Sequence, residues 1–386
     1  MNNHNGGASR IRRRVLTVVG TRPEAIKMAP VIKALADASD FDSALCASGQ
    51  HQTMLAQVLD LFAIKPEFDL AIMKDGQTLA DITNRVLAGV MGVIAQWKPD
   101  VVLVHGDTTT AMAAALGAFY SRVAIGHVEA GLRTNDLDRP WPEEMNRRTI
   151  DGMANYLFAP TEGSRKNLLA ENLGGRTILV TGNTVVDALK MIEARLNSDA
   201  ALRGDLDKRF GFLDPNRRLI LVTGHRRESF GAGFEEICRA LARLAGRGDV
   251  EILYPVHLNP NVQEPVQRVL GNRPNVHLIE PCDYVTFVYL MMRSYLILTD
   301  SGGVQEEAPS LAKPVLVMRH VTERPEALAS GIVRLVGADE VRIVGGTEAL
   351  LEDAALYASA ARAGNPFGDG HASERIVDAL RTGAGA

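Results

Sequence analysis

Residues 101–129, VVLVHGDTTTAMAAALGAFYSRVAIGHVE, contain a complete strand–helix–strand unit. Val101–His105 and Ala124–Glu129 are short apolar runs typical of buried parallel strands, and Thr108–Tyr120 between them has the longer pattern of a helix. Parallel strands joined by a helix form a right-handed crossover in nearly all proteins. This stretch therefore predicts a doubly wound α/β fold.

The same alternation extends along the rest of the chain and predicts two Rossmann-like doubly wound domains. Further strand-like runs are Arg14–Gly20, Ser43–Ala47, Leu219–Thr223, Glu251–Pro255, Val276–Glu280, Tyr295–Asp300 and Val315–Met318. We predict a disordered tail over 1–13 and domains over 14–186 and 187–369, with a C-terminal helix over 370–386 that packs back on the first domain. The joint falls in a charged helical stretch, Ala188–Arg209. Ligands of such folds bind at the carboxyl ends of the strands, and the cleft between two such domains is the expected site.

The bulk composition excludes several classes of protein. The 386 residues carry a formal net charge of −4, whereas nucleic-acid binders usually have a basic surplus. No apolar run reaches the ~18–20 residues that a membrane span requires. The three cysteines are far apart and form no C-x-x-C pair, which argues against a disulfide framework or a thiolate zinc site. We expect a cytoplasmic protein that binds neither nucleic acid nor membrane.

Glycines and cations near predicted helix starts indicate phosphate binding. Ser301, Gly302 and Gly303 follow a strand-like run, where free helix amides favour an anion, and Glu307 lies one turn further, placed to accept bonds from ribose hydroxyls. The alternative is an ordinary helix cap. Further candidate cations are Arg22 and Lys27 around the start of a helix, His225 and Arg226 in the GHRRE segment 224–228, and Arg324; solvated ion pairs are the alternative for each. Neither G-x-G-x-x-G after a strand nor a Walker A sequence is present, so NAD and ATP are disfavoured and we predict no cofactor.

Three carboxylates follow strands or open helices in the first half of the chain. Asp107 and Glu129 come at strand ends, and Glu143 follows Pro142 at a predicted helix start. Taken singly, they also fit a helix N-cap, a buried ion pair and a helical pair with Arg147. The pairs His105–Asp107 and His127–Glu129 lack the i,i+4 spacing of a helical zinc motif, so we predict no metal.

Seven motifs in series closely resemble those of the non-hydrolysing bacterial UDP-N-acetylglucosamine 2-epimerases. They are GTRPEAIKMAP (20–30), VHGDTTT (104–110), GHVEAGLRT (126–134), WPEE (141–144), GHRRE (224–228), DSGGVQEE (300–307) and TERPE (322–326). The resemblance covers roughly residues 14–380. It implies a GT-B-like fold of two Rossmann-like domains facing a cleft that holds the substrate. It also implies interconversion of UDP-GlcNAc and UDP-ManNAc for surface polysaccharide synthesis, by a homodimer.

The resemblance also carries residue roles to this chain by motif position. The implied catalytic residues are Asp107, Glu129, Glu143 and His225, and the implied substrate contacts are Arg22, Lys27, Phe287, Ser301, Gly302, Gly303, Glu307 and Arg324. Positions implicated in binding a second, activating UDP-GlcNAc are matched by Gln50, His51, Arg226 and His257. The chain departs from the family pattern near these positions, at Thr53, Gly76, Asp138, Arg139 and His320.

The implied chemistry is elimination and re-addition of UDP. The C2 proton of the sugar is not next to a carbonyl, so departure of UDP from C1 has to acidify it before a carboxylate can remove it. A glycal then forms, and protonation from the other face with return of UDP gives the epimer. The alternatives are a glycosyltransferase, a hydrolysing epimerase and a nucleotide-sugar sensor without turnover.

Overall fold

The computed structural model describes residues 12–49, 52–74, 76–224, 226, 229–322 and 324–383. The chain divides into two units, Met1–Ala188 with Gly370–Ala386, and Leu189–Asp369. The division falls within one helix, Thr184–Ser198. Most of the predicted tail lies outside the described residues, and the first strand already includes Arg13.

The described part of the first unit contains a seven-stranded, all-parallel sheet. Its strands are β1 (Arg13–Val19), β2 (Phe41–Ala47), β3 (Phe68–Asp69), β4 (Val101–His105), β5 (Ala124–Val128), β6 (Tyr156–Ala159) and β7 (Thr177–Val180). The strand order is β3-β2-β1-β4-β5-β6-β7. Continuous burial along β1, β4 and β5 explains their uninterrupted apolar sequences, since helices cover both faces of the sheet.

Helices connect these strands in turn. They are α1 (Arg22–Asp37), α2 (Gln52–Leu61), α3 (Leu79–Trp97), α4 (Thr109–Tyr120), α5 (Glu143–Met153), α6 (Glu162–Ala170) and α7 (Thr184–Ser198). Helix α1 begins with a capping box, in which Thr21 and Glu24 satisfy each other's backbone amides. Helix α4 is capped by the Thr108 side chain, which accepts from the amide of Ala111 at 3.0 Å.

A C-terminal helix, α16 (Ala372–Thr382), packs on this first unit. The buried Asp187 carboxylate accepts hydrogen bonds from the amide of Ser373 at 2.8 Å and from its hydroxyl at 2.7 Å. Arg381 forms an ion pair with Asp40 at 2.7 Å. These bonds join the end of the chain to the unit that contains β1.

The described part of the second unit contains a six-stranded parallel sheet of order β10-β9-β8-β11-β12-β13. The strands are β8 (Arg218–Thr223), β9 (Val250–Pro255), β10 (Val276–Ile279), β11 (Leu296–Thr299), β12 (Val315–Val317) and β13 (Val333–Leu335). The helices are α8 (Ala200–Arg209), α9 (Ala232–Leu244), α10 (Pro260–Leu270), α11 (Tyr284–Arg293), α12 (Gly302–Glu307), α13 (Pro325–Ser330), α14 (Glu340–Glu352) and α15 (Ala354–Arg362), with a 3-10 turn at Ala308–Leu311.

The predicted fold class is confirmed: both units are α/β, with parallel sheets and crossover helices. The charged helical stretch Ala188–Arg209 consists of the end of α7 and the whole of α8. Asp199 starts a new helix there, since its side chain caps α8 by accepting from the amide of Leu202 at 2.9 Å. None of the helices in the described residues is long and apolar enough to cross a membrane.

Candidate functional site

The predicted acid–base residues of the first unit lie at one edge of its sheet. Strands β1, β4 and β5 are neighbours and parallel, so their carboxyl ends meet at that edge. Arg22 is the first residue of the helix after β1, Asp107 lies between β4 and α4, and Glu129 directly follows β5. The topology therefore brings together residues that are more than a hundred positions apart.

Glu129 is held by three partners from other parts of the first unit. Its carboxylate pairs with the Lys27 ammonium and accepts a hydrogen bond from the Asn183 amide at 2.9 Å. The His105 Nε2 atom lies 3.8 Å from the same carboxylate oxygen. Glu129 has a φ of 69°, in the left-handed region that side chains with a Cβ rarely adopt. Backbone strain of this kind concentrates at functional positions.

Asp107 forms an ion pair with the Arg147 guanidinium of α5. Its backbone carbonyl accepts a bond from the Asn146 side chain at 2.9 Å. Neighbouring residues of one helix thus hold both the side chain and the main chain of Asp107. Its side chain is 26% exposed, so the carboxylate remains accessible.

The two acids at the start of α5 have different environments. Glu144 is fully buried and accepts from the amides of Thr134 and Asn135 at 3.1 and 3.2 Å. Arg147 and Arg148 each donate to it at 3.1 Å. The helical pair of Glu143 with Arg147, weighed as an alternative from the sequence, is therefore replaced by a Glu144–Arg147 pair. Glu143 is half-buried, and its catalytic role remains a prediction.

Glu24 links the start of α1 to the start of α4. Its buried carboxylate accepts from the amides of Gly20 and Thr21 at 3.0 and 2.6 Å, and from the Thr108 hydroxyl at 2.6 Å. Burial raises the pKa of this carboxyl, although the hydrogen bonds oppose the shift. These hydrogen bonds connect the turn before Arg22 to Thr108, the residue that follows Asp107.

In the second unit, a turn rich in small residues follows β11. The Asp300 carboxylate accepts from the amide of Arg226 at 2.8 Å, and the amide of Ser301 donates to the Thr299 hydroxyl at 2.9 Å. Ser301 stands at the N-cap of α12, whose first two residues are Gly302 and Gly303. The strand, the glycine pair and the helix that the sequence predicts are all present, although the helix, α12, is short.

Arg324 lies beside the glycine pair. Its guanidinium forms an ion pair with the buried Glu306 at 2.7 Å. A Cβ placed on Gly302 would come within 3.3 Å of the guanidinium carbon of Arg324, so the absent side chain leaves room for this cation. Arg324 is thus already paired with a carboxylate of the same unit.

The remaining predicted contacts are distributed over the second unit. Glu307 accepts a hydrogen bond from the Tyr284 hydroxyl at 2.7 Å, and Phe287 is half-buried on α11. The ring of the exposed His257 accepts from the amide of Asn259 at 3.1 Å. His225, Gln50 and His51 lie outside the described residues.

Sequence reasoning missed Asn183 and underestimated Arg147. Asn183 precedes α7 in a T-G-N-T segment, a helix start that could have drawn attention. Its contact with Glu129 depends on the position of β7 in the sheet. No group of three or more His, Cys, Asp or Glu side chains that could hold a metal ion occurs in the part of the chain that the structure describes.

Comparison with known proteins gives consistent matches over nearly the whole chain. The family model described as UDP-N-acetylglucosamine 2-epimerase matches residues 33–381. The UDP-N-acetylglucosamine 2-epimerase of Escherichia coli (strain K12) is 58% identical over 95% of this chain and 98% of its own length.

Solved structures match at the level of the fold as well. The Neisseria meningitidis UDP-GlcNAc 2-epimerase bound to UDP-GlcNAc is 49% identical, with a TM-score of 0.89 over 96% of this chain and 100% of that chain. The Methanocaldococcus jannaschii UDP-GlcNAc 2-epimerase, in complex with UDP-GlcNAc and UDP, is 32% identical with a TM-score of 0.78, covering 96% and 99% of the two chains.

Proposed function

This chain belongs to the UDP-N-acetylglucosamine 2-epimerase family, and we propose that it interconverts UDP-GlcNAc and UDP-ManNAc by inverting C2 of the sugar. One observation carries the proposal. Asp107 and Glu129 come from neighbouring strand ends, and each carboxylate has a cationic partner, Arg147 and Lys27 respectively. Two carboxylates at the same sheet edge, each paired with a cation, are suited to accept and return a proton.

The proposed reaction proceeds by elimination and re-addition. The bond between C1 and the UDP oxygen breaks with its electron pair going to UDP. A carboxylate takes the C2 proton, and the electrons of that C–H bond form the C1–C2 double bond of the glycal. A proton then adds to C2 from the opposite face while UDP returns to C1. Atoms and electrons balance without a redox cofactor.

We assign proton transfer and support of the cationic ring to Asp107, Glu129 and Glu143. The ion pairs keep Asp107 and Glu129 oriented without a ligand, which lowers the cost of arranging them for catalysis. His225 joins this set by its position in the GHRRE motif.

We assign binding of UDP to the turn formed by Ser301, Gly302 and Gly303, called the glycine turn, and to its neighbours in the second unit. We assign further substrate contacts to Arg22 and Lys27 of the first unit. The second-unit residues are Phe287, Ser301, Gly302, Gly303, Glu307 and Arg324. Arg324 is pre-oriented by Glu306, so it can bind phosphate oxygens with little further loss of side-chain freedom. The glycines allow the pyrophosphate to approach the backbone closely.

Two further properties are proposed on the motif resemblance. Gln50, His51, Arg226 and His257 bind a second UDP-GlcNAc that activates the enzyme; a lag or sigmoidal rate against UDP-GlcNAc concentration tests this. The enzyme also forms a homodimer, a state supported by exposed apolar side chains on α3 and α4, namely Met91, Phe119 and Tyr120. Light scattering tests the dimer.

Product analysis tests the main proposal. Purified protein is incubated with UDP-GlcNAc alone, without acceptor or added cofactor, and the products are identified by phosphorus and proton NMR. The proposal predicts UDP-ManNAc, in which the sugar is still bonded to the diphosphate. Free UDP with N-acetylmannosamine would instead show a hydrolysing epimerase, and an unchanged substrate would favour a transferase that lacks its acceptor or a sensor.

A further inference from the structure

A buried histidine and a buried aspartate contact two turns of the first unit. We call these the catalytic turns; they are residues 106–107 after β4 and residues 129–131 after β5. His127 is on β5 and Asp151 is on α5, and both side chains are fully buried. The His127 Nδ1 atom is 2.6 Å from Asp151 Oδ1. Neither residue belongs to the set proposed to touch the substrate. A fully buried ionisable pair needs a structural or functional reason.

The hydrogen-bond geometry determines which ring nitrogens carry hydrogen. The His127 Nε2 atom is 2.7 Å from the carbonyl oxygen of Gly106, which can only accept, so Nε2 is protonated. The other oxygen of Asp151 accepts from the Gly131 amide at 3.2 Å and pairs with the Arg133 guanidinium at 2.7 Å. This oxygen already receives two donors, which favours an ionised carboxylate.

The charge of Asp151 agrees with this assignment. Burial alone would raise the pKa of its carboxyl, but the charges and hydrogen bonds of His127 and Arg133 outweigh burial and lower the pKa below its ordinary value. Arg133 is in turn paired with Glu171 at 2.7 Å. The Asp151 carboxylate lies against Nδ1 and orients the ring, so that Nε2 faces the Gly106 carbonyl.

The pair contacts the backbone of both catalytic turns. Gly106 directly precedes Asp107, and Gly131 follows Glu129 by two residues. Both glycines have positive φ, 66° and 84°, so each turn has a backbone conformation that a neighbouring contact can stabilise. The Gly106 amide also donates to the Val128 carbonyl at 2.9 Å, which ties this turn to β5.

We propose that His127 is a positioning residue that sets the placement of Asp107 relative to Glu129, because its Nε2–H donates to the Gly106 carbonyl while Asp151 orients its ring. The inference rests on the proposed epimerase function only for what the placement achieves. The protonation state of the ring is independent of any activity.

The first test is nitrogen NMR of the uniformly 13C- and 15N-labelled wild-type protein at pH 7.5, with the His127 ring assigned through its correlations to its own Cβ and backbone resonances. The proposal predicts a hydrogen on Nε2. A ring with hydrogen on Nδ1 alone would overturn the proposal, whether or not the protein turns over UDP-GlcNAc. Failure of the epimerase function is therefore distinguishable from failure of this inference.

The second test compares two amide substitutions. In His127→Gln the amide nitrogen lies near the position of Nε2, so the bond to Gly106 can persist; in His127→Asn the amide lies near Nδ1, so only the Asp151 bond can persist. We expect kcat to fall about 10²-fold in His127→Asn, with KM for UDP-GlcNAc within about twofold, and less than about tenfold in His127→Gln. A displacement of about 1 Å at the reacting groups suffices for the larger loss.

The matched control is His277→Asn in the second unit, where the ring is paired with Glu251 at 2.7 Å. It should leave kcat unchanged. The reverse order of the two His127 variants, with Asn more active than Gln, would show that only the Asp151 pair matters and would overturn the positioning role. If neither variant folds, the protonation of the wild-type ring decides.

Discussion

The carboxylate edge of the first unit and the glycine turn of the second unit are built differently. At the carboxylate edge, Asp107 and Glu129 are charged side chains held by charged or amide partners. At the glycine turn, Ser301 and the two following glycines present mostly backbone, with Arg324 as the adjacent cation. Side chains oriented by ion pairs suit proton transfer, whereas the backbone amides at a helix start and an arginine suit a phosphate. Changes at the first region should therefore reduce turnover, and changes at the second should reduce affinity.

The largest effect is expected from Asp107→Asn. The amide keeps the shape of the side chain but cannot take a proton, so kcat should fall by about 10²–10⁴-fold. Affinity for UDP, measured by calorimetry, should change less than about threefold, because the proposed UDP contacts are elsewhere. Loss of UDP affinity in parallel with kcat would erase the distinction between the two regions.

A large stability effect is expected from Glu144→Gln at the carboxylate edge. The buried carboxylate has two arginine partners, so its loss weakens two charge-assisted hydrogen bonds and should cost about 3 kcal/mol in the free energy of unfolding, even though Arg147 keeps its pair with Asp107. The control is Glu235→Gln on α9, where a more exposed pair with Arg268 should contribute about 0.5 kcal/mol. Urea denaturation measures both. Equal costs would show that burial of the first network has no energetic consequence.

The Asp151 network should make the stability of the first unit depend on pH. The folded-state pKa of Asp151 is lowered from the ordinary value of 3.8, so its stabilisation is present above that pH and is lost as pH falls through the folded pKa. Asp151→Asn should therefore cost about 2 kcal/mol at pH 7.

The difference between wild type and Asp151→Asn in urea denaturation should stay constant from pH 7 to about 5 and shrink as the pH is lowered further to 3. A difference that stays constant over the whole range would mean that the charge of Asp151 does not stabilise the fold.

The smallest effect is expected from Gly302→Ala at the glycine turn. The added Cβ would lie 3.3 Å from the Arg324 guanidinium carbon, so the arginine has to move by a few tenths of an ångström. We expect UDP affinity to weaken about threefold to tenfold, with kcat at saturating substrate nearly unchanged. Gly345→Ala on α14, where a Cβ would meet nothing within 4 Å, is the control. A loss confined to kcat would contradict a binding role.

The sequence was sufficient for the architecture because parallel strands and crossover helices leave a strong apolar alternation. It also placed Asp107 and Glu129 at strand ends, and the observed order of β1, β4 and β5 brings those ends together. The strand before Glu129 nevertheless ends at Val128, one residue earlier than predicted, and Glu129 has a positive φ. A strong apolar pattern does not show where a backbone turns.

The partners of the carboxylates were less predictable. Helical spacing paired Arg147 with Glu143, but the folded helix directs Arg147 toward Glu144 and Asp107. Asn183 reaches Glu129 across 54 positions of sequence. Such contacts follow from the three-dimensional position of each turn, and neither propensity nor spacing carries that information.

Proton NMR of the protein with UDP-GlcNAc in D2O, without acceptor or cofactor, tests C2 epimerisation most directly. We predict loss of the C2 proton signal together with new UDP-ManNAc resonances, because proton removal and return at C2 are the work assigned to the carboxylate edge. Absence of both exchange and product, with UDP-GlcNAc in excess to fill any activating site, would contradict C2 epimerisation by this protein.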